Sequence, residues 1–269
     1  MWAYGCGVIS SGVPLQQAWA AALLGALLAG PFVCAMSQAA NDWFDRHVDA
    51  INEPHRPIPS GRVPGHWGLW IALAWSGLSL ALASVLGPWV FGATVIAMAL
   101  AWGYSAPPFR LKQSGIWGAA ACGLAYEGIA WFTGAAAVLA ALPSWPVIAA
   151  AGLYSLGAHG IMTLNDFKAV EGDQAMGIRS LPVRFGVRPA AWIACTVMVL
   201  PQLGVVGLLI WLDQGWFALG VAALVLCQIA LMPRLLRDPK AHAPWFNATG
   251  TGLFVLGMLV SAFAIRGVA

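Results

Sequence analysis

The chain has 269 residues, 60% of them hydrophobic and only 9% charged, with 13 Lys and Arg against 10 Asp and Glu and a net charge of +3. A soluble domain carries about 25% charged residues, so these few charges cannot cover a water-facing globule. The apolar runs are continuous rather than alternating, which excludes a β-barrel and leaves an all-α polytopic membrane protein.

The chain opens on the apolar run MWAYGCGVIS, which at 1.5 Å per residue covers roughly 15 Å, half a bilayer. It reads as the rear half of a first helix whose front is cut away, with a re-entrant segment as the alternative. Eight apolar segments follow, at 17–40, 67–87, 88–104, 115–141, 145–165, 189–212, 215–233 and 247–265. Each is close to the ~20 residues that cross a hydrocarbon core. The five cysteines lie in apolar stretches without zinc or redox spacing and read as small buried hydrophobes. No cleavable signal peptide is expected.

The basic residues divide the loops into two kinds. Arg46, Arg56 and Arg62 precede the second of the eight segments; Arg110 and Lys112 precede the fourth. Lys168, Arg179, Arg184 and Arg188 precede the sixth, and Arg234, Arg237 and Lys240 the last. These are twelve of the thirteen Lys and Arg, all in alternate loops, with Arg266 left at the C-terminus. The positive-inside rule puts the four charged loops in the cytoplasm. With the partial first helix, that alternation predicts nine transmembrane helices, N-terminus inside and C-terminus outside. Arg234, Arg237 and Lys240 are expected to set topology only.

Seven of the ten acidic residues fall into two short clusters: Asp42, Asp45, Asp49 and Glu53, then Asp166, Glu171 and Asp173. On a helix, Asn41, Asp45 and Asp49 at i, i+4 and i+8, with Asp42 beside them, line up oxygens along one stripe. Carboxylates on one face repel unless a cation sits between them. Mg²⁺ suits such a set because it takes hard oxygen ligands and shares itself with phosphates. Both clusters open on Asn-Asp, carry an aromatic two residues after the Asn (Trp43, Phe167), and reach an arginine 15 or 14 residues later (Arg56, Arg179). Four helices separate them, so they emerge on the same side. That is a parallel internal repeat, with the site expected at the interface of two pseudo-repeats around a central cavity. Arg46, Arg56, Lys112, Lys168 and Arg179 are the candidate phosphate contacts. The implied chemistry is metal-assisted departure of a diphosphate. Plain solvated loops would scatter their acids, and a cation path would be opposed by the arginines.

N41-D42-x-x-D45-x-x-x-D49 resembles the first aspartate motif of the UbiA superfamily of intramembrane prenyltransferases, and residues 165–173 resemble the second. The strings NDWFDRHVDAINEP, RPIPSGR, YSAPPFRLK and LNDFKAVEGDQAMGIRSLP are similar to its chlorophyll synthase branch, and within that branch to the members acting on bacteriochlorophyll precursors. The resemblance covers almost the whole chain, 1–269, as a single membrane domain. It implies nine helices around a cavity open to the membrane, and Mg²⁺ held by Asn41, Asp42, Asp45, Asp49, Asp166, Glu171 and Asp173. It further implies a bacterial inner membrane and esterification of a bacteriochlorophyllide propionate by geranylgeranyl or phytyl diphosphate. Nucleic acid is not an expected partner. Many relatives space the second pair of aspartates by three residues; here six lie between Asp166 and Asp173, and Glu171 is the residue that would fill the gap. A propionate is already ionised at neutral pH, so no general base is named. An aromatic quinone precursor as acceptor, and a non-catalytic pigment carrier, stand as alternatives.

Three further residues lie inside or at the edge of the apolar segments. Glu127 is costly at that depth; it either bonds a neighbouring helix or lines the cavity near the tetrapyrrole. His159 shares a helix face with Thr163 and Asp166 and is either an axial ligand to the pigment's magnesium or a hydrogen-bond donor. Tyr104, with Arg110 and Lys112, sits where the family has a tyrosine–lysine motif.

Overall fold

Proline, glycine and one aspartate punctuate the apolar runs and decide where the helices begin. Pro88 opens a helix directly after Gly87, which has φ +104°, and Pro146 sits in the first turn of another. Asp238 caps the last helix by accepting from the Ala241 N–H at 3.1 Å, with Pro239 next to it. That cap starts the helix at Pro239, eight residues before the apolar segment expected at 247–265, because the more polar turns 239–246 continue it out of the hydrocarbon.

The computed structural model describes residues 1–266 and 268. The order is α1 (Trp2–Ser10), α2 (Leu15–Leu27), a π-helical turn (Leu28–Cys34) and α3 (Ala35–Asn52), then α4 (Trp67–Val85) and α5 (Pro88–Ser105). After a 3₁₀ turn (Leu111–Gln113) come α6 (Trp117–Gly123), a second π turn (Leu124–Ile129) and α7 (Ala130–Leu139). The remainder is α8 (Trp145–Asp166), the short α9 (Val170–Ala175) and α10 (Leu181–Phe185), α11 (Val187–Trp211), α12 (Gly215–Arg237) and α13 (Pro239–Ile265). Among the described residues, eight helical runs are long and apolar enough to cross a membrane. Charge alternation predicts nine crossings; eight such runs are found among the described residues, and α1, with nine residues, is too short to cross by itself. The chain is an integral membrane protein.

The first of these runs, Leu15–Ile51, is 37 residues long, about 55 Å at 1.5 Å per residue, well beyond a ~30 Å hydrocarbon core. Its C-terminal turns, which carry the aspartates, therefore project beyond the hydrocarbon. Pro31 cannot donate to the helix ladder, and the π turn absorbs the break while the Pro31 carbonyl accepts from the Trp75 indole N–H at 3.0 Å.

The buried centre is α8, packed against α6, α11 and α13. Lipid tails are as apolar as leucine, so close packing and satisfied polar groups hold such a bundle together. Across α7, α8 and α13 three fully buried rings meet: Trp131 stacks on Tyr154 with centroids 5.7 Å apart, and Tyr154 meets Phe254 edge-on at 5.2 Å. Each such pair contributes about 0.5–1.5 kcal/mol. Their polar tips are satisfied: the Trp131 N–H donates to Ser10 Oγ at 2.9 Å, and Tyr154 OH meets Ser261 Oγ at 2.9 Å. Gly7 lets α1 press onto α7, where an added Cβ would lie 2.0 Å from the Trp131 carbonyl oxygen.

The four charged loops meet at one end of the bundle. The first and second are joined by Arg110 and Lys112 on Asp45. The second and third are joined by backbone hydrogen bonds from Arg179 N–H to Gln113 and from Gly115 N–H to Arg179, 2.9 Å each. The third and fourth are joined by Lys240 on Glu171 and by Asn247 donating to Asn165 at 3.0 Å. At the opposite end, Trp145 and Trp211 meet edge-on at 5.0 Å. The alternation read from the basic residues is thus a real separation of two ends.

Candidate active site

The aspartate stripe lies on α3, a regular helix through Asn52, so Asn41, Asp45 and Asp49 do share a face. Each carboxylate in the stripe has a cationic partner. Arg56, brought back by the turns after α3, donates to Asp49 at 3.0 Å and to Asp42 at 3.3 Å. Asp45 receives Lys112 in close contact and Arg110 at 3.4 Å. Asn41 donates to Ser105 Oγ at 3.2 Å, tying the stripe to the end of α5.

Residues 110–115 form a strap between the two acidic clusters. Arg110 turns it with φ +38°, a left-handed conformation that costs a non-glycine residue roughly 1–2 kcal/mol and persists where surrounding contacts hold it. That turn sends both Arg110 and Lys112 to Asp45. At its far end the strap forms a parallel bridge between Ser114 and Arg179. Gly115 is required there, since a Cβ would lie 2.5 Å from the Leu181 backbone nitrogen. Burial pulls the Lys112 ammonium below its ordinary pKa, and the Asp45 contact partly opposes that.

The second cluster is built differently. α8 stops at Asp166, the chain turns through Phe167–Ala169, and α9 returns Asp173 to within electrostatic reach of Asp166. Asp173 is buried, which raises its pKa; the Ser180 hydroxyl beside it acts the other way. Glu171 points elsewhere: it is 76% exposed and pairs with Lys240, whose hydrogen bond lowers its pKa. The gap in the second motif is therefore closed by a helix break, and Glu171 is not brought to the acidic pair.

The remaining sequence candidates separate in the same way. Arg46 lies over the Trp43 ring at 4.0 Å and donates to the Trp43 carbonyl at 2.7 Å, on the side of α3 facing His66. Lys168 is exposed beside Asn165 and Asn247, in a groove between α8 and α13. Arg179 joins the strap through its backbone, with an exposed side chain. His159 Nε2 contacts the Ile116 carbonyl at 3.2 Å, and His159 is not among the residues that line the cavity described below. Glu127 sits in the second π turn, whose phase directs Tyr126 and Ile129 inward; its carboxylate lies toward α1, near Cys6 and the terminal amine.

From the acidic stripe a cavity of about 340 Å³ runs into the membrane region between α2–α3, α5 and α6–α7. Asn41 and Tyr104 stand at its mouth, where Tyr104 is hydrogen-bonded to Cys122 and within electrostatic reach of Asp166. Its wall uses residues only up to Thr133. The expected site between two repeats is therefore asymmetric: the first half makes the cavity, and the second contributes at the mouth. Sequence reasoning missed Gln38, Ser37 and Tyr126, which line this wall, with Tyr126 hydrogen-bonded to Gln38 and Cys34. Gln38 was findable, since it precedes Asn41 by one helical turn on the same stripe.

No group of three or more His, Cys, Asp or Glu among the described residues already forms a closed metal site. The donors are instead hard carboxylate oxygens in two open sets, Asp42–Asp45–Asp49 and Asp166–Asp173. That chemistry fits an oxygen-seeking divalent cation shared with a phosphate better than a site for softer metals.

The sequence pattern of the UbiA prenyltransferase family matches residues 1–264. Over 267 residues the chain is 56% identical to the bacteriochlorophyll synthase 33 kDa chain of Cereibacter sphaeroides, covering 99% of this chain and 88% of that one. It is 44% identical to the bacteriochlorophyll synthase 34 kDa chain of Chloroflexus aurantiacus, covering 98% and 85%. In three dimensions it resembles a UbiA homolog from Archaeoglobus fulgidus bound to GPP and Mg²⁺, with a TM-score of 0.71 at 21% identity over 94% of this chain and 95% of that one.

Proposed function

The chain belongs to the UbiA prenyltransferase family, and on that premise we propose that it transfers a prenyl group from an isoprenoid diphosphate to the propionate of bacteriochlorophyllide. The observation that carries this reading is the junction of two acidic clusters and a basic strap beside a largely apolar cavity. The acceptor follows from the 56% identity to a bacteriochlorophyll synthase chain over nearly the full length. The whole chain, 1–269, acts as one domain.

A divalent cation takes part, and Mg²⁺ is the ion assigned. When bound, it would neutralise charge on the departing diphosphate. Asp42, Asp45, Asp49, Asp166 and Asp173 would hold it, with Asn41 beside them. In the free protein Arg56 and Lys112 neutralise the carboxylates; with the diphosphate bound, both turn to phosphate oxygens, where fixed positive charge stabilises the leaving group. Arg110 keeps Asp45 partnered meanwhile. The prenyl tail lies in the cavity, whose apolar wall excludes water from the allylic carbon as positive charge develops there. Tyr104 and Tyr126 present aromatic faces along that path. The acceptor carboxylate is ionised at neutral pH and attacks without a general base. The positive-inside rule places the four charged loops, and so the diphosphate site, in the cytoplasm.

The deciding experiment incubates membranes containing the protein with bacteriochlorophyllide, geranylgeranyl diphosphate and Mg²⁺, then separates the pigments. Esterified pigment and released diphosphate, both lost with a chelator and restored by Mg²⁺, are expected. Transfer to an aromatic quinone precursor instead would move the acceptor. Pigment binding without diphosphate release would make the protein a carrier.

A further inference from the structure

A second hollow opens at the charged end of the bundle, between the end of α8 and the start of α13. It has a volume of about 470 Å³ and shares no residue with the cavity beside the aspartate stripe. Besides Asn247, α13 presents only Ala243, Pro244 and Ala248 to it, side chains too small to close the gap to α8. Its polar groups form a one-way chain. Thr251 Oγ1 donates to Asn247 Oδ1 at 3.1 Å, and Asn247 Nδ2 donates to Asn165 Oδ1 at 3.0 Å. Each carboxamide oxygen therefore accepts a bond, and the chain ends on Asn165 Nδ2, a donor on an exposed residue with no partner of its own among the described residues. Lys168, also exposed, has no ionic partner among the described residues, since Glu171 is taken by Lys240. Both free polar groups at this mouth are thus donors, and one carries a full positive charge.

The groups are also ordered by depth. Asn247 stands where the apolar stretch 247–265 begins, so the paired amides lie at the level where hydrocarbon gives way to water. Leu164 and Ala248 lie on the membrane side of them, and Lys168 on the water side. Apolar wall, amide donor and ammonium, in that order, match the acyl chain, ester oxygens and phosphate of a phospholipid. A basic groove between transmembrane helices suits an anionic headgroup, and hydrogen bonds from an ammonium to phosphate are about twice as strong as neutral ones. We propose that the α8–α13 groove binds one anionic phospholipid, its phosphate on Lys168 and Asn165 and an acyl chain against Leu164 and Ala248. The lipid braces the end of α8, which carries Asp166, against α13. This inference does not depend on the prenyl-transfer reading.

The test uses the full chain purified in neutral detergent and titrated with phosphatidylglycerol or with phosphatidylcholine of the same acyl chains, native mass spectrometry counting the lipid retained. One phosphatidylglycerol per chain should be kept in preference to phosphatidylcholine, and millimolar inorganic phosphate should not displace it. Lys168→Gln should weaken phosphatidylglycerol by about fivefold, the contribution of one lysine near an anionic membrane surface. Ala248→Phe, at an exposed position, fills the apolar part of the groove and should also weaken it. Arg188→Gln removes the same charge from the exposed first turn of α11 and should change nothing. Equal retention of the two lipids, wild-type affinity in both groove variants, or a loss in Arg188→Gln as large as in Lys168→Gln would overturn the site, the last by showing diffuse attraction. Displacement of the lipid by inorganic phosphate would overturn the lipid as occupant and leave a site for free phosphate.

Discussion

Lys112→Met keeps the length of the side chain and removes one positive charge from the junction of strap and aspartate stripe. Lys112 and Asp45 are 13% and 20% exposed, so solvent screens their contact only weakly. A hydrogen bond to a charged group contributes about 1.5–3 kcal/mol. Arg110, 3.4 Å from the same Asp45 oxygen, remains to take up part of the role, which argues for the lower half, about 1.5–2 kcal/mol. At about 1.4 kcal/mol per tenfold, kcat/KM for the prenyl diphosphate should fall by roughly 10- to 30-fold. The assay is prenyl transfer in membranes at saturating Mg²⁺ with the diphosphate varied. If Lys112 acted only by neutralising Asp45, Lys112→Met would shift the Mg²⁺ dependence and leave KM for the diphosphate at its wild-type value; if Lys112 holds the diphosphate, that KM rises even at saturating Mg²⁺. Unchanged kcat/KM in Lys112→Met would refute the assignment of this lysine to the leaving group.

Gly115→Ala should loosen the strap, because its Cβ would lie 2.5 Å from Leu181 N and 2.7 Å from the Ser180 backbone. A cost of about 1–3 kcal/mol is expected, seen as a lower Tm of the purified protein together with weaker diphosphate binding; wild-type values for both would show that the strap tolerates displacement. The pH profile should narrow from both sides. Asp173, raised by burial, takes up its proton above the ordinary value of 3.8, so transfer fails on acidification earlier than for a solvated aspartate. Lys112, lowered by burial, loses its proton below 10.5, so the alkaline limb also moves inward; Asp173→Asn, which removes a carboxylate assigned to the cation, should lower transfer across the whole profile, and full activity at neutral pH in that variant would refute the assignment. For stability the Asp173 sign is opposite: the folded state prefers the protonated form, so its penalty is present at neutral pH and relieved as pH falls through the raised pKa. Ser60→Cys, in the exposed first charged loop, should react with an impermeant maleimide in inside-out vesicles and not in right-side-out ones; the reverse pattern would invert the topology.

The class of fold and the ends of the bundle were legible because two simple quantities, apolar length and the placement of Lys and Arg, both leave marks in a membrane chain. The lengths of individual helices were less so. The 17–40 segment runs on to Asn52 because the polar stripe of Asn41, Asp45 and Asp49 is itself helical outside the hydrocarbon. The last helix starts at Pro239 because a single aspartate caps it. The π turns at Leu28–Cys34 and Leu124–Ile129 shift the phase of every following side chain, which is why Glu127 faces α1 while Tyr126 reaches the cavity. A period of 3.6 residues carries no signal for such a shift.

The acidic clusters were visible as composition, but their pairing with cations belongs to three-dimensional structure. Asp42 and Asp49 are 7 residues apart and meet one guanidinium, because Arg56 returns along the helix it has just left. The second cluster reaches a similar result by another route. Asp166 and Asp173 would be on one face of a continuous helix, two turns apart and about 10 Å distant at 1.5 Å per residue. Ending α8 at Asp166 and restarting at Val170 folds that interval back on itself, so that the two carboxylates interact. The unusual spacing and the helix break are therefore one feature: six intervening residues are what a turn and the first part of α9 require. The same break frees Glu171 to pair with Lys240, and so to tie the third charged loop to the fourth. A carboxylate that counts toward the motif by sequence thus ties the third charged loop to the fourth, while Asp166 and Asp173 interact with each other, Asp166 also lying within electrostatic reach of Tyr104 at the cavity's edge.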